Sequence, residues 1–364
     1  MAKPKLSDVA ALAGVSPTTV SRVLNNRGYL SEATRAKVHE AVQQLGYRPN
    51  AIARSLQGQR SQTVGLIFPT VANPFYGEMV YQLENHLAEA GYRVILCNSE
   101  DHPEQEKRYL DMLFANQVDG IISGAHSDAL VNVPHAQAPL VTVDRLETGF
   151  YPNIRSDNHG GARAATEHLI ATGAQTIVHV TSTLGEHNER QRGYREAMLE
   201  AGLTPEFAEL GFRPSLDYKR ETLYRYLDER ADSINPVEAV FASNDNYAAL
   251  ALGWARTHNI RVPGDFQVIG YDGTQSVRLL LPELATVIQP IEEIARRAVQ
   301  RLLELIEKQD APVTSGTPNS AVPGDSAYLP GDILPITLYL GSTVRTIPNL
   351  SRKEPNSLRP DEPR

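Results

Sequence analysis

Apolar positions change their period near residue 62. Before that point they recur every three or four residues in short blocks. In "KLSDVAALAGVSPTTVSRVLNN", Leu6, Val9, Ala10 and Ala13 share one helical face, and Gly14 supplies a left-handed stop. Ser16 suits the cap of a second helix and Pro17 its first position, where a missing N–H costs nothing. That start places Thr18, Thr19, Ser21 and Arg22 on the opening turns and turns Val20, Val23 and Leu24 inward. A third helix is predicted over "EATRAKVHEAVQQLGY", with Ser31 as cap and Ala33, Val38, Ala41, Val42 and Leu45 on its apolar side. Two short helices joined through a glycine have helix-turn-helix spacing. Further on, "YRPNAIARSLQGQRSQ" carries Asn50 as cap and Gly58 as stop around about seven helix-compatible residues, too few to be stable alone in water.

From residue 63 short apolar runs alternate with longer amphipathic ones. "TVGLIF", "RVILCNS", "DGIISG", "PLVTVD", "TIVHVTST", "VEAVFASND" and "FQVIGYDG" read as buried parallel strands, separated by helices such as "PFYGEMVYQLENHLAEAG" and "NERQRGYREAMLEAG". This predicts doubly wound α/β sheets, and the length suits two of them. In such sheets ligands bind beyond the carboxyl ends of the strands. The polar residues that close each run are therefore the candidate contacts: Asn73, Ser99, Ser123, Asp144, Arg145, Asn244, Asp245 and Asp272. Carboxylates and amides aimed at one cleft suit a polyol. Phe75 and Tyr76 offer aromatic faces to a sugar, Arg190 in "ERQRGY" a forked set of donors, and Gln289 in "TVIQP" a further amide. Each has a plainer alternative: Asp245 as a helix cap, Arg145 in an ion pair, Phe75 as core.

Charge sharpens the division. Residues 1–60 carry nine Lys or Arg against three acids, a surplus of six positive charges in a chain of net charge −8. A basic helical block of this kind suits phosphate attraction, with the second helix in a major groove and Arg22 reaching guanine. The alternative is a small bundle with a solvated polar face. Leu56, between Arg54 and Arg60, is either a wedge for a minor-groove base step or a linker residue packed on the next domain. A single cysteine excludes a disulfide framework and a multi-thiolate metal site. The first residues lack the apolar run of a secretion signal, and no stretch approaches the roughly 20 apolar residues of a membrane span, so a soluble, cytoplasmic protein is expected.

Taken together, "LSDVAALAGVSPTTVSRVLN" and "YRPNAIARSLQG" resemble the amino-terminal region of the lac-repressor-type (LacI/GalR) family of transcription regulators, a likeness that continues to about residue 345. The resemblance implies a helix-turn-helix headpiece at 1–48, a hinge helix and linker at 49–61, and a two-lobed periplasmic-binding-protein-like core at 62–345. It implies lobe one at about 62–160 and 290–322, lobe two at about 161–289, three crossings between them, and a disordered tail at 346–364. It places Pro17, Thr18, Thr19 and Arg22 at base-facing positions. Ser7, Ser21, Asn25 and Tyr29 fall at phosphate-facing ones, Ala53, Arg54 and Leu56 on the minor-groove hinge, and the helix caps Ser16 and Asn50 are counted among the DNA-binding residues as well. Phe75, Asp144, Arg190, Asn244 and Asp272 match effector-contacting positions. The implied partners are double-stranded operator DNA of near-palindromic sequence, a small sugar and a second copy of the chain. No membrane is implied.

The runs "ARSLQGQ", "GLIFPTVANPFYGE" and "QVDGIISGAHS" look most like sucrose-operon and ribose-operon repressors, so sucrose or its fructose moiety is the expected effector and ribose the second. Neither a nucleotide-binding glycine motif, nor G-x-S-x-G, nor a metal-ligand spacing of histidines is present, so no catalytic residue, cofactor or metal is expected. The rival readings are an exported sugar-binding protein without DNA binding and a global catabolite regulator answering to a phosphoprotein. "DAPVTSGTPNSAVPGDSAYLPGD" predicts a long flexible loop before a last strand "ILPITLYLGSTV". No carboxy-terminal leucine heptad follows, which favours a dimer over a tetramer.

Overall fold

The computed structural model describes residues 4–24, 28–47, 60–125, 137–144, 151–231, 233–310 and 331–347. They belong to two compact units that divide between Ser61 and Gln62. The predicted hinge helix lies outside the described residues.

The first unit contains α1 (Leu6–Ala13), α2 (Pro17–Leu24) and α3 (Glu32–Leu45). Gly14 ends α1 at φ 66°, a left-handed conformation that costs a residue without Cβ little. The Ser16 hydroxyl accepts the Thr19 N–H at 3.1 Å and that of Ser31 accepts the Thr34 N–H at 3.3 Å, so both following helices start on side-chain caps. Val9, Ala10, Ala13, Val20, Val23, Val38 and Ala41 are buried together as a small core. Ala33, expected on that apolar side, is exposed, because it sits in the first turn of α3 ahead of the packed stripe.

The second unit holds two six-stranded sheets. In chain order its elements are β1 (Thr63–Phe68), α4 (Pro74–Glu89), β2 (Arg93–Asn98), α5 (Pro103–Ala115), β3 (Gly120–Ser123), β4 (Leu140–Val143), β5 (Asn153–Ser156) and α6 (Asn158–Ala171). Then come β6 (Ile177–Thr181), α7 (Glu189–Glu200), β7 (Glu206–Glu209), α8 (Leu216–Ala231), β8 (Ala239–Ala242), α9 (Asp245–Thr257), β9 (Gln267–Asp272), α10 (Gln275–Leu280), β10 (Ala285–Ile288), α11 (Ile291–Asp310), β11 (Asp332–Leu334) and β12 (Thr337–Tyr339). The sheet orders are β2-β1-β3-β4-β5-β11 in lobe one and β7-β6-β8-β9-β10-β12 in lobe two. All pairings are parallel except β10 with β12. Each sheet is covered on both faces, which explains the continuous apolar runs of β1, β3, β6 and β9. β2 departs from the expectation of a buried strand: it is the sheet edge, and Leu96 is exposed.

The chain crosses between the sheets after β5, after β10 and between β11 and β12. The third crossing falls at 335–336, not near 322, and the single last strand expected over "ILPITLYLGSTV" is two three-residue strands in different sheets. The physical reason is Pro335, which has no N–H to carry the β5 ladder further.

Candidate nucleic-acid interface and interlobe site

In the first unit the start of α2 faces solvent. Pro17, Thr18 and Arg22 are exposed and Thr19 and Ser21 half-buried, while Val20 and Val23 fill the core beneath them. Ser16 spends its hydroxyl on the helix start, meeting the Thr19 N–H and, at 2.9 Å, the Thr19 hydroxyl. Ser7 and Tyr29 are exposed on flanking segments. The unit thus presents short side chains at the capped start of α2 and the Arg22 guanidinium in its last turn.

In the second unit the two sheets point the ends of β4, β5, β8 and β9 at a common seam. At its centre is Arg190, two residues into α7, whose start is set by Asn188 accepting the Gln191 N–H. Its Nε donates to Asn158 Oδ1 at 2.8 Å, and its Nη1 to the Ser243 carbonyl at 2.6 Å and to Asp272 Oδ1 at 3.4 Å. Its Nη2 lies 3.7 Å from Asp144 Oδ2, so one guanidinium touches both lobes. The Tyr271 ring lies beneath it, 3.9 Å from ring centroid to guanidinium carbon. Burial opposes its charge, yet Asp272, Tyr271 and Asp144 together hold Arg190 above its usual range.

The carboxylates are held firmly. Asn158 Nδ2 donates to Asp144 Oδ1 at 3.1 Å and Gln289 Nε2 to Asp272 Oδ1 at 2.8 Å. Both aspartates have left-handed backbones, φ 44° at Asp144 and 102° at Asp272, conformations that cost about 1–3 kcal/mol each and cluster where a site needs them. From lobe one, Phe75 and Tyr76 meet edge to face at 5.3 Å on the first turn of α4, both buried, with Asn73 capping that helix through Phe75 N–H. Burial, then the charges of Asp144 and Asp272, keep the Tyr76 phenol well above its ordinary range.

Other bonds join the lobes around this centre. Gln275 N–H donates to Glu78 Oε2 at 2.8 Å, Arg213 Nη2 to the Asp101 carbonyl at 2.8 Å, and Phe212 packs against the core of lobe one.

Comparison with known proteins fits both units. Residues 5–50 match the model for bacterial regulatory proteins of the lacI family, and residues 166–327 match a periplasmic binding protein-like domain. The sucrose operon repressor of Streptococcus mutans serotype c is 40% identical over 328 residues, 88% of this chain and 99% of that one. The chain belongs to the lacI family of bacterial regulatory proteins. The ribose operon repressor of Halalkalibacterium halodurans is 34% identical, covering 84% of this chain and 91% of that one. A solved lac repressor dimer bound to operator and the anti-inducer ONPF superposes with a TM-score of 0.79 at 26% identity, covering 95% of this chain and all of that one.

Within this lacI-family chain the structure brings Phe75, Tyr76, Asp144, Arg190 and Asp272 together and sets Asn244 at the same seam, its side chain accepting the Tyr247 N–H as the cap of α9. Asp245 departs from its expected role. Its oxygens accept from Gly273 N–H at 2.8 Å and the Thr286 hydroxyl at 2.6 Å, so it braces the β9 turn from inside lobe two, and burial pushes it up to about 6. Gln289 is also reassigned: its amide links Ser156 Oγ, at 2.6 Å, to Asp272, making it a buried positioning residue of the crossing. Ser123 is fully buried on β3, its hydroxyl turned toward the Ala125 N–H. Asn25, Asn50, Ala53, Arg54, Leu56 and Arg145, the loop at 311–330 and the tail from 348 lie outside the described residues. Sequence reasoning missed Ser156, Asn158, Phe212 and Tyr271 as parts of the seam. "NIRS" and "EFAE" are four-residue strands without an apolar run, so nothing announced the polar Ser156 and Asn158 or the aromatic Phe212 beyond them.

Proposed function

We propose that this protein is a sequence-specific DNA-binding repressor of a carbohydrate-utilisation operon, released from its operator by a small sugar. Sucrose or its fructose moiety is the first candidate, in keeping with the Streptococcus mutans relative, and ribose the second. The observation that carries this reading is the solvent-facing side of α2, capped by Ser16, with Thr18 in its first turn and Arg22 in its last both free of the core beneath. Hydroxyls and a guanidinium along one helix face read base edges in a major groove.

The protein acts by binding and not by catalysis, and it works in the cytoplasm beside its operator. Among the described residues no helix is long and apolar enough to cross a membrane. Two copies hold two headpieces at half-sites of a near-palindrome; exposed Leu279 and Leu280 on lobe two support pairing with a second copy. Sugar entering the seam competes for the carboxylates around Arg190 and resets the lobe angle. Reversing a population from 1:99 to 99:1 takes about 5 kcal/mol of differential affinity.

The test is fluorescence anisotropy of the full chain on a labelled palindrome from its own upstream region, with sucrose, fructose, glucose and ribose added in turn. One sugar is expected to release the DNA. Arg22→Ala is expected to weaken operator binding by about 10- to 100-fold, the scale of one base-edge pairing, with little effect on non-specific DNA. Absence of DNA binding at low salt overturns the reading.

A further inference from the structure

Tyr271 carries the Arg190 guanidinium on its ring, yet its own hydroxyl, fully buried, has no hydrogen-bond partner among the described residues. A buried hydroxyl left without a partner costs free energy and calls for a reason. The reason lies on α6. A Cβ on Gly161 would stand 2.6 Å from the Tyr271 hydroxyl oxygen, 3.0 Å from Val287 Cγ1 and 3.2 Å from Ile336 Cγ1. The phenol end therefore fits over a bare Cα in the opening turn of the helix. Gly161 has an ordinary helical backbone, where alanine is the better helix former, so what the glycine provides is room and not conformation. The ring has little freedom to yield: Phe241 meets it edge to face at 6.4 Å and Arg190 lies 3.9 Å above its centroid, so a displaced hydroxyl moves the whole ring.

The same position joins the three crossings. Gly161 follows the first, Val287 precedes the second and Ile336 lies in the third. On the other side of the Tyr271 ring, Arg190 reaches Asp144 in lobe one and Asp272 in lobe two, and its Nε donates to Asn158 on the same helix as Gly161. We infer that Gly161 is the positioning residue of the Arg190 bridge. Its missing side chain lets the Tyr271 ring sit at the height that carries the guanidinium between the two carboxylates, and a shift of the lobes at the crossings reaches Arg190 through that ring. The inference rests on the sugar-responsive reading above and adds to it a buried residue behind the seam.

The experiment is a double-mutant cycle on the full chain and its labelled operator. Gly161→Ala is introduced into the wild type and into Tyr271→Phe, which lacks the atom that the new methyl group would strike. Sugar concentrations for half-release of DNA are measured with sucrose, fructose, glucose and ribose, beside the thermal transition of each variant. In the wild-type background Gly161→Ala is expected to raise the half-release concentration of the active sugar by about tenfold, toward the low end of what overpacking a core costs. In the Tyr271→Phe background it is expected to raise it by no more than about twofold, since Val287 and Ile336 then need to give only slightly. A crystal structure of Gly161→Ala is expected to show the Tyr271 ring displaced and Arg190 out of reach of one carboxylate. If Gly161→Ala fails to fold, a double variant that folds and releases DNA with sugar supports the inference, and one that also fails overturns it. Equal effects of Gly161→Ala in the two backgrounds overturn the inference and leave the repressor reading standing, as does a Tyr271 ring that stays in place. If the wild type binds DNA but no sugar acts, the sugar-responsive reading falls and the inference with it.

Discussion

Lobe one and lobe two wind in the same order, each with its second strand at one edge and a late strand at the other, yet they bring different chemistry to the seam. Lobe one offers rings and one carboxylate, Phe75, Tyr76 and Asp144. Lobe two offers a connected polar set, in which Arg190, Ser243, Asp272 and, through the crossing, Gln289 bond to one another. A shared topology aims equivalent strand ends at one place, and the residues that close those strands decide what each lobe does there. Arg190 is where the two halves meet, since its fork reaches both carboxylates.

The sharpest way to break this contrast is Arg190→Ala. It strips lobe two of its cation and leaves Asp272 and Asp144 facing each other in a buried site. Truncating one partner of a buried pair costs about 3–5 kcal/mol, which urea unfolding will register, and sugar-driven release of DNA should be lost.

A second test separates the lobes by pH. His179, on β6 of lobe two, lies between Tyr194 and Phe241 with Nδ1 3.0 Å from the Phe241 carbonyl. Burial lowers its pKa from 6.5 to about 4. The unfolded chain therefore takes up the proton first as pH falls. Stability on this account is full above pH 6.5 and is lost progressively down to about pH 4, by about 3 kcal/mol in total. Asp245, whose pKa burial raises to about 6, works in the opposite sense, because its folded form binds a proton that the unfolded form has released. The net pH slope of the wild type will be shallower than the histidine alone requires. In His179→Phe the acid-side loss should vanish, leaving stability that falls as pH rises, since burial raises both Asp245 and Asp272 in the folded chain. Hydrogen exchange at pH 5 and 7 should place the difference in lobe two.

The smallest effect is expected from Glu78→Ala. This removes the acceptor for Gln275 N–H and with it one direct bond between the lobes, a change of about 0.5–1.5 kcal/mol. Global unfolding should move by no more than that amount. The sugar concentration for half-release of DNA should shift by several-fold. An unchanged midpoint would mean that this bond does not bias the lobes.

Much of this organisation is legible along the chain. The headpiece helices follow from Gly14, Ser16, Pro17 and Ser31, whose caps and stops act within one turn. Seven strands announce themselves by apolar runs, and the polar residues after them include Asp144, Asn244 and Asp272. The edge and crossing strands β5, β7, β11 and β12 are harder to see, because a short strand at a sheet margin or a lobe boundary needs little apolar sequence. The roles of neighbouring polar residues are harder still. Asn244 and Asp245 are adjacent in sequence, yet one caps α9 at the seam while the other turns into the core toward Gly273 and Thr286.

Periodicity, capping and local charge act over a few residues, and they suffice for the basic helical headpiece, the α/β class of the core and the polar inventory at its strand ends. Which of those polar groups face the seam, that Asp245 and Gln289 serve as braces, and that Arg190 is shared between two lobes follow from the packing of the folded chain. Those outcomes depend on segments far apart in the chain, such as Asn158, Arg190, Asp272 and Gln289, being brought within hydrogen-bond reach by the crossings.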